Sequence, residues 1–219
     1  MKKNLFLLLS ILLLFNLHES PDLQAQNNYQ SAMSGAIAAL KQAASQEDFL
    51  ASSARFERIG LAEKERWLPW YYSAYALILP SFDEPDGKRK DQLLDRAQEA
   101  IDRALELAPG ESEIHVLQAF LYPSRILVDP VNRGLIYMDK MQASLDRSRK
   151  LNPDNPRTYY LEGVQKLNLP AAFGGGPEVA RPILETAMEK YAGFQTDDPL
   201  WPSWGDESTR KELEKLNNL

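Results

Sequence analysis

Four stretches of the chain repeat one spacing, and the repetition limits the folds open to it. From Leu94 to Pro109, small Ala97, apolar Ile101 and small Ala104 fall four and three residues apart, and Pro109 stops the run five residues later. Residues so spaced share one face of an α-helix. The spacing returns as Met141, Leu145, Ser148 and Pro153, then without the proline as Ala180, Leu184 and Ala187, and more weakly as Ala54, Arg58 and Leu61. A second motif puts a large residue four positions before a small one: Trp70 and Ala74, His115 and Ala119, Tyr159 and Gly163, Trp201 and Gly205. Small residues let two helix axes approach while large ones fill the groove between neighbours, so each helical hairpin buries its apolar stripe by stacking. Good helix formers fill the long stretches, and no sustained alternation of β-branched residues marks a strand. The expected class is all-α: about four hairpins with a charge-rich capping helix over Ser208 to Leu219. Ser112, Asn155 and Asp198 stand as N-caps, with Pro156 and Pro199 at first helical positions.

This alternation resembles the tetratricopeptide (TPR) repeat, which places Trp, Leu, Gly and Tyr on a first helix and Ala, Phe, Ala and Pro on a second. Trp70, Ala74 and Leu77 stand at first-helix positions, as do His115, Ala119 and Tyr122, then Tyr159 and Gly163; Ala97 to Pro109 matches the second helix. His115, Met141, Ser148 and Arg58 depart from the usual types. The resemblance covers roughly residues 30 to 215. It implies a right-handed TPR-like superhelix that works as a protein or peptide interaction scaffold. Successive units, read from Trp70 to His115 to Tyr159 to Trp201, are 45, 44 and 42 residues apart, against 34 in the TPR. The extra residues fall between the two helices of a unit, over Pro80 to Lys90, Pro123 to Asn132 and Leu169 to Pro177. Three inserted loops are therefore expected side by side along one edge.

Lys2 and Lys3 precede an apolar run from Leu5 to Leu17, and small Ala25 follows a short polar stretch. This is the pattern of a secretory signal peptide. It predicts a signal peptide over 1–25, a TPR-like domain over 26–219, and a periplasmic or secreted location. The run is shorter than the ~20 residues a membrane helix needs, although an uncleaved anchor is the alternative. With no cysteine, lipidation at a mature N-terminal cysteine, disulfides, thiolate metal sites and thiol catalysis are excluded. A net charge of −6, from 25 basic and 31 acidic side chains, argues against a nucleic-acid partner. Stable membrane insertion after signal cleavage is not expected.

Trp67, Trp70, Tyr71, Tyr72 and Tyr75 crowd nine positions and cannot all face one side of a helix. Trp67, Tyr71 and Tyr75 are candidates to face the concave groove as anchors for an extended peptide, with ordinary packing as the alternative. Trp201 and Trp204 are expected to pack beneath the terminal helix. Arg125 and Arg133 lie in the second inserted loop, and Phe173, Gly174, Gly175 and Gly176 in the third. The glycines can turn successive backbone N–H groups towards one point beside a helix N-terminus, a setting for an anion, or simply let the chain reverse. No Lys-Ser or Lys-Thr follows them, so they are not a nucleotide-binding P-loop. His115 stands at a packing position, and a lone imidazole lacks the second ligand or base that a metal site or triad needs. The pairs Asp83 and Glu84, Asp197 and Asp198, and Asp206 and Glu207 read as solvated loops. No G-x-S-x-G turn occurs. The expectation is an exported, non-catalytic scaffold for a protein or peptide partner in the cell envelope, with no catalytic residue, metal or cofactor. The alternative is a periplasmic protein, associated with transport, that binds a small anionic ligand through the inserted loops.

Overall fold

The computed structural model describes residues 21 to 218. Nine α-helices and no strand occur among the described residues: α1 Pro21–Gln42, α2 Gln46–Ala62, α3 Leu68–Ser81, α4 Gly87–Leu107, α5 Ser112–Val128, α6 Pro130–Leu151, α7 Pro156–Asn168, α8 Pro177–Gly193 and α9 Asp206–Asn217. They pair in chain order as four hairpins, and α9 closes the array against α8. The expected all-α hairpin array with a terminal capping helix is the observed fold. Of the expected signal peptide, residues 1–20 lie outside the described residues, and residues 21–25 belong to α1.

The stripe read from the repeat is the packing surface. Ala97, Ile101 and Ala104 of α4 are fully buried, as are Leu145 and Ser148 of α6 and Ala180, Leu184 and Ala187 of α8. Close approach accompanies the small residues. A β-carbon on Gly163 would stand 2.6 Å from the Leu184 side chain, and one on Gly60 2.7 Å from the Trp70 ring. These glycines let α7 meet α8 and α2 meet α3 at short range.

Three expectations need correction. First, the hairpins are long because their helices are long. Pro80 lies inside α3 and Pro123 inside α5, leaving only residues 82 to 86 and Asp129 as turns. A proline near a helix C-terminus breaks a single ladder bond. Here Ser81, after the first proline, places its hydroxyl 2.6 Å from the Ile78 carbonyl and 2.8 Å from the Ser124 hydroxyl, after the second. Only Leu169 to Gly176 is a true insertion, and it contains a short 3₁₀ turn at Ala171–Phe173. Second, Trp201 and Gly205 belong to no helix; α1 completes the fourth pair instead, and residues 194 to 205 form an irregular segment between α8 and α9. Asp198 caps a turn, its carboxylate accepting from the Leu200 N–H at 2.9 Å. Third, Glu111 rather than Ser112 caps α5, accepting from the Glu113 N–H, whereas Asn155 and Pro156 open α7 as expected.

The irregular segment is tied to the helices by a buried ion pair. Arg157 of α7 donates to Glu113 of α5 at 2.8 Å, and both side chains are almost wholly enclosed. Asn155 donates to the same carboxylate oxygen at 3.0 Å, and the second Arg157 nitrogen donates to the Pro202 carbonyl. Burial pushes the Glu113 carboxyl up to about 6, against the pull of Arg157. Removing one member leaves the other charge enclosed and alone, so Arg157→Met should cost about 3–5 kcal/mol in urea unfolding, with Arg157→Met/Glu113→Leu recovering most of the loss. A double variant no more stable than the single one contradicts this. The raised pKa has a sign. The folded state binds this proton more tightly than the unfolded chain, whose carboxyl titrates near 4.5, so the group costs stability above about pH 6. That cost, about 2 kcal/mol, disappears as pH falls through the window. Wild type should therefore gain stability relative to Glu113→Gln between pH 7 and 4.5, and a difference independent of pH contradicts it.

Candidate functional site

The first helices of the hairpins line a concave face, and part of it is already filled. Residues 200 to 204 run across α3, α5 and α7. Leu200 is buried, and its carbonyl accepts from the Tyr72 hydroxyl at 2.8 Å. Trp204 donates from its indole nitrogen to the Tyr71 hydroxyl at 2.8 Å. Its ring stacks on Tyr75 of α3 with centroids 5.5 Å apart and on Phe120 of α5 at 5.4 Å, while Tyr160 of α7 meets it edge-on at 6.2 Å. The Arg157 guanidinium lies 5.6 Å from the same indole. Aromatic stacking, a cation–π contact and a hydrogen bond thus hold one side chain among three helices.

Two cavities lie along these helices: Trp204 lines the smaller and touches Phe120 and Tyr160, which line the larger. The smaller, of about 320 Å³, is lined by Ile37, Leu40, Phe49 and Leu79 together with Tyr75 and Trp204. The larger, of about 510 Å³, lies on the α5 to α7 side. Phe120, Pro123, Ile126 and Leu127 of α5 form one wall, with Phe82 beside them. Leu161, Val164 and Leu169 form the α7 wall, and α6 contributes Met138 and Met141. The only polar side chains lining it are Tyr160, Gln165 and Asn168, and no Lys, Arg, Asp or Glu does so among the described residues. Burial raises the Tyr160 phenol above its usual pKa, so it stays neutral. Asn168 already donates to the Val164 carbonyl at 2.8 Å. A mainly apolar cavity of this size with a few polar groups suits a small, largely apolar ligand.

None of the nine residues singled out from sequence lines the larger cavity. Tyr71 is fully buried, Tyr75 is stacked under Trp204, and Trp67 meets Trp201 edge-on at 5.4 Å. These aromatics face the returning segment rather than an open groove. Arg125 is nearly enclosed and donates to Asp91 at 2.7 Å and Asp95 at 2.5 Å; Arg133 donates to both Asp91 oxygens at 2.8 Å. The two guanidiniums hold Asp91 below its usual pKa and tie α5, through Arg125, and α6, through Arg133, to α4. The glycine turn has spent its donors: Gly174 bonds the Ala171 carbonyl, Gly175 that of Pro170, and Gly176 that of Lys166. Gly174 and Gly176 take positive φ, as a chain reversal here requires, so the turn is no anion nest. Phe173 is exposed on it. His115 is half-buried, 3.5 Å from the Pro109 carbonyl, and outside both cavities.

The cavity residues escaped notice because their types are those of ordinary core. One signal was present: Gln165 interrupts the run Leu161, Gln165, Leu169, spaced by four on α7. No group of His, Cys, Asp and Glu placed to hold a metal ion occurs among the described residues, and no helix among them is long and apolar enough to cross a membrane. Trp204→Ala should remove the ring packed among α3, α5 and α7 and cost about 3–5 kcal/mol in unfolding; a loss below about 1 kcal/mol would contradict the packing role given to this ring.

No protein-family model matches the chain, and no curated protein does. Among solved structures, it is similar to the HusA haemophore from Porphyromonas gingivalis, with 30% identity and a TM-score of 0.78 over 87% of this chain and 93% of that one.

Proposed function

From the premise that the chain belongs to the family of the HusA haemophore, we propose that it is an exported, non-catalytic binding protein. Its cargo is haem or a related porphyrin, held in the cavity between α5 and α7. The observation that carries the reading is the cavity itself: about 510 Å³, walled by Phe82, Phe120, Leu161 and Val164. Such walls suit the apolar faces of a flat aromatic macrocycle. Tyr160, Met138 and Met141 are the lining residues of types that ligate haem iron. The phenol is held neutral, and the one described histidine lies elsewhere. The macrocycle is therefore the feature recognised, with iron ligation secondary.

The Lys2–Lys3 and Leu5–Leu17 pattern supports export. We also read the array as TPR-like, on the strength of the small residues packed at Gly60 and Gly163. An extended peptide in the concave groove finds less support, because residues 200 to 204 occupy that path with Tyr72, Tyr71 and Arg157 bonded to them.

Titration of the purified protein with haemin and with protoporphyrin IX tests the proposal, read by the porphyrin absorption band and by quenching of the tryptophan emission. Saturable binding of one porphyrin per chain is expected. Val164→Asp, which puts a carboxylate into the apolar wall, should weaken it at least about tenfold. Absence of saturable binding by the wild-type protein would overturn the reading.

A further inference from the structure

Gln165 is out of place in its own helix face. It sits one turn after Leu161 and one turn before Leu169, both of which line the cavity. A third leucine at this position would continue the apolar wall. Gln165 instead brings an amide whose Oε1 is closed off from water and has no hydrogen-bond partner. Such an unpaired buried acceptor is unfavourable, and a leucine in its place would carry no such penalty. The half-buried residue lies on the cavity lining. Because Oε1 is the enclosed end of the amide, the end left open to a ligand is Nε2, with its two N–H donors.

The remaining lining decides which edge a ligand uses. No cation lines the cavity among the described residues, the Asn168 amide is engaged with Val164, and the phenol of Tyr160 is the other polar group. A ligand carboxylate that enters this space must therefore be met by a neutral donor. The neutral donors on the lining are the Gln165 amide and the Tyr160 phenol, and a hydrogen bond from either to a carboxylate is charge-assisted.

We propose that Gln165 is the residue by which the cavity recognises a carboxylate of its cargo, its amide N–H donating to a propionate of the bound porphyrin. This rests on the porphyrin reading above. Gln165 thereby favours a free acid over its ester. Because the donor is neutral, binding of the acid depends only weakly on ionic strength.

The test is a cycle of fluorimetric titrations with protoporphyrin IX and its dimethyl ester against wild type, Gln165→Leu and Gln165→Glu. Gln165→Leu keeps the volume and removes the donor. It should weaken binding of the diacid about tenfold and leave the diester within about twofold. Gln165→Glu should weaken the diacid further, by like-charge repulsion, and the diester less. An unchanged diacid affinity in Gln165→Leu, or an equal loss for both ligands, overturns the assignment while leaving the porphyrin reading intact. Failure of wild type to bind either porphyrin overturns the porphyrin reading and this inference with it.

Discussion

Arg157 joins what the hairpins alone would leave apart. Its guanidinium spans the Glu113 carboxylate on α5 and the Pro202 carbonyl on the returning segment, and it lies over Trp204. Stacked hairpins contact only their neighbours, and their inner helices leave a continuous groove between them. The enclosed cation draws residues 200 to 204 into that groove. Once there, Trp204 meets Tyr75, Phe120 and Tyr160 and packs against three helices at once. A buried ion pair is weak evidence for stability in itself. Here it fixes the position of a segment against the inner helices.

The segment bears on what kind of ligand the molecule can hold. An open groove of helices offers length, which suits a strand of peptide, and residues 200 to 204 already lie along that path. The larger cavity beside them has aromatic and aliphatic walls. The larger volume lacks charge, so affinity there must come from apolar area and from the few polar groups on its lining. Arg125 and Arg133, which a ligand-binding edge would need free, are spent on Asp91 and Asp95. They tie the C-terminal end of α5 and the start of α6 to α4.

The hairpins were legible because helical periodicity is a local signal. Ala97, Ile101 and Ala104, or Ala180, Leu184 and Ala187, carry their burial in their spacing. The same rule misread Trp201 and Gly205, where Pro199, Pro202 and the positive φ of Gly205 rule out a helix that the large-to-small spacing alone suggested. Pro80 and Pro123 read as loop starts in the sequence, because proline disfavours helix interiors, yet both lie inside helices. Near a helix end the break costs one bond, and the paired serines Ser81 and Ser124 bridge the two turns. The cavity was hardly legible at all. Its walls come from residues between Phe82 and Leu169, brought together by the stacking of α5, α6 and α7. Phe120, Leu161 and Val164 look like core in a sequence, and only Gln165 broke the pattern.

A structure of the protein with protoporphyrin IX bound tests the account most directly. The account places the macrocycle between α5 and α7, against Phe120 and Val164, with Trp204 still stacked between Tyr75 and Phe120. A macrocycle bound elsewhere, or one seated by displacing residues 200 to 204 from the groove, would contradict it.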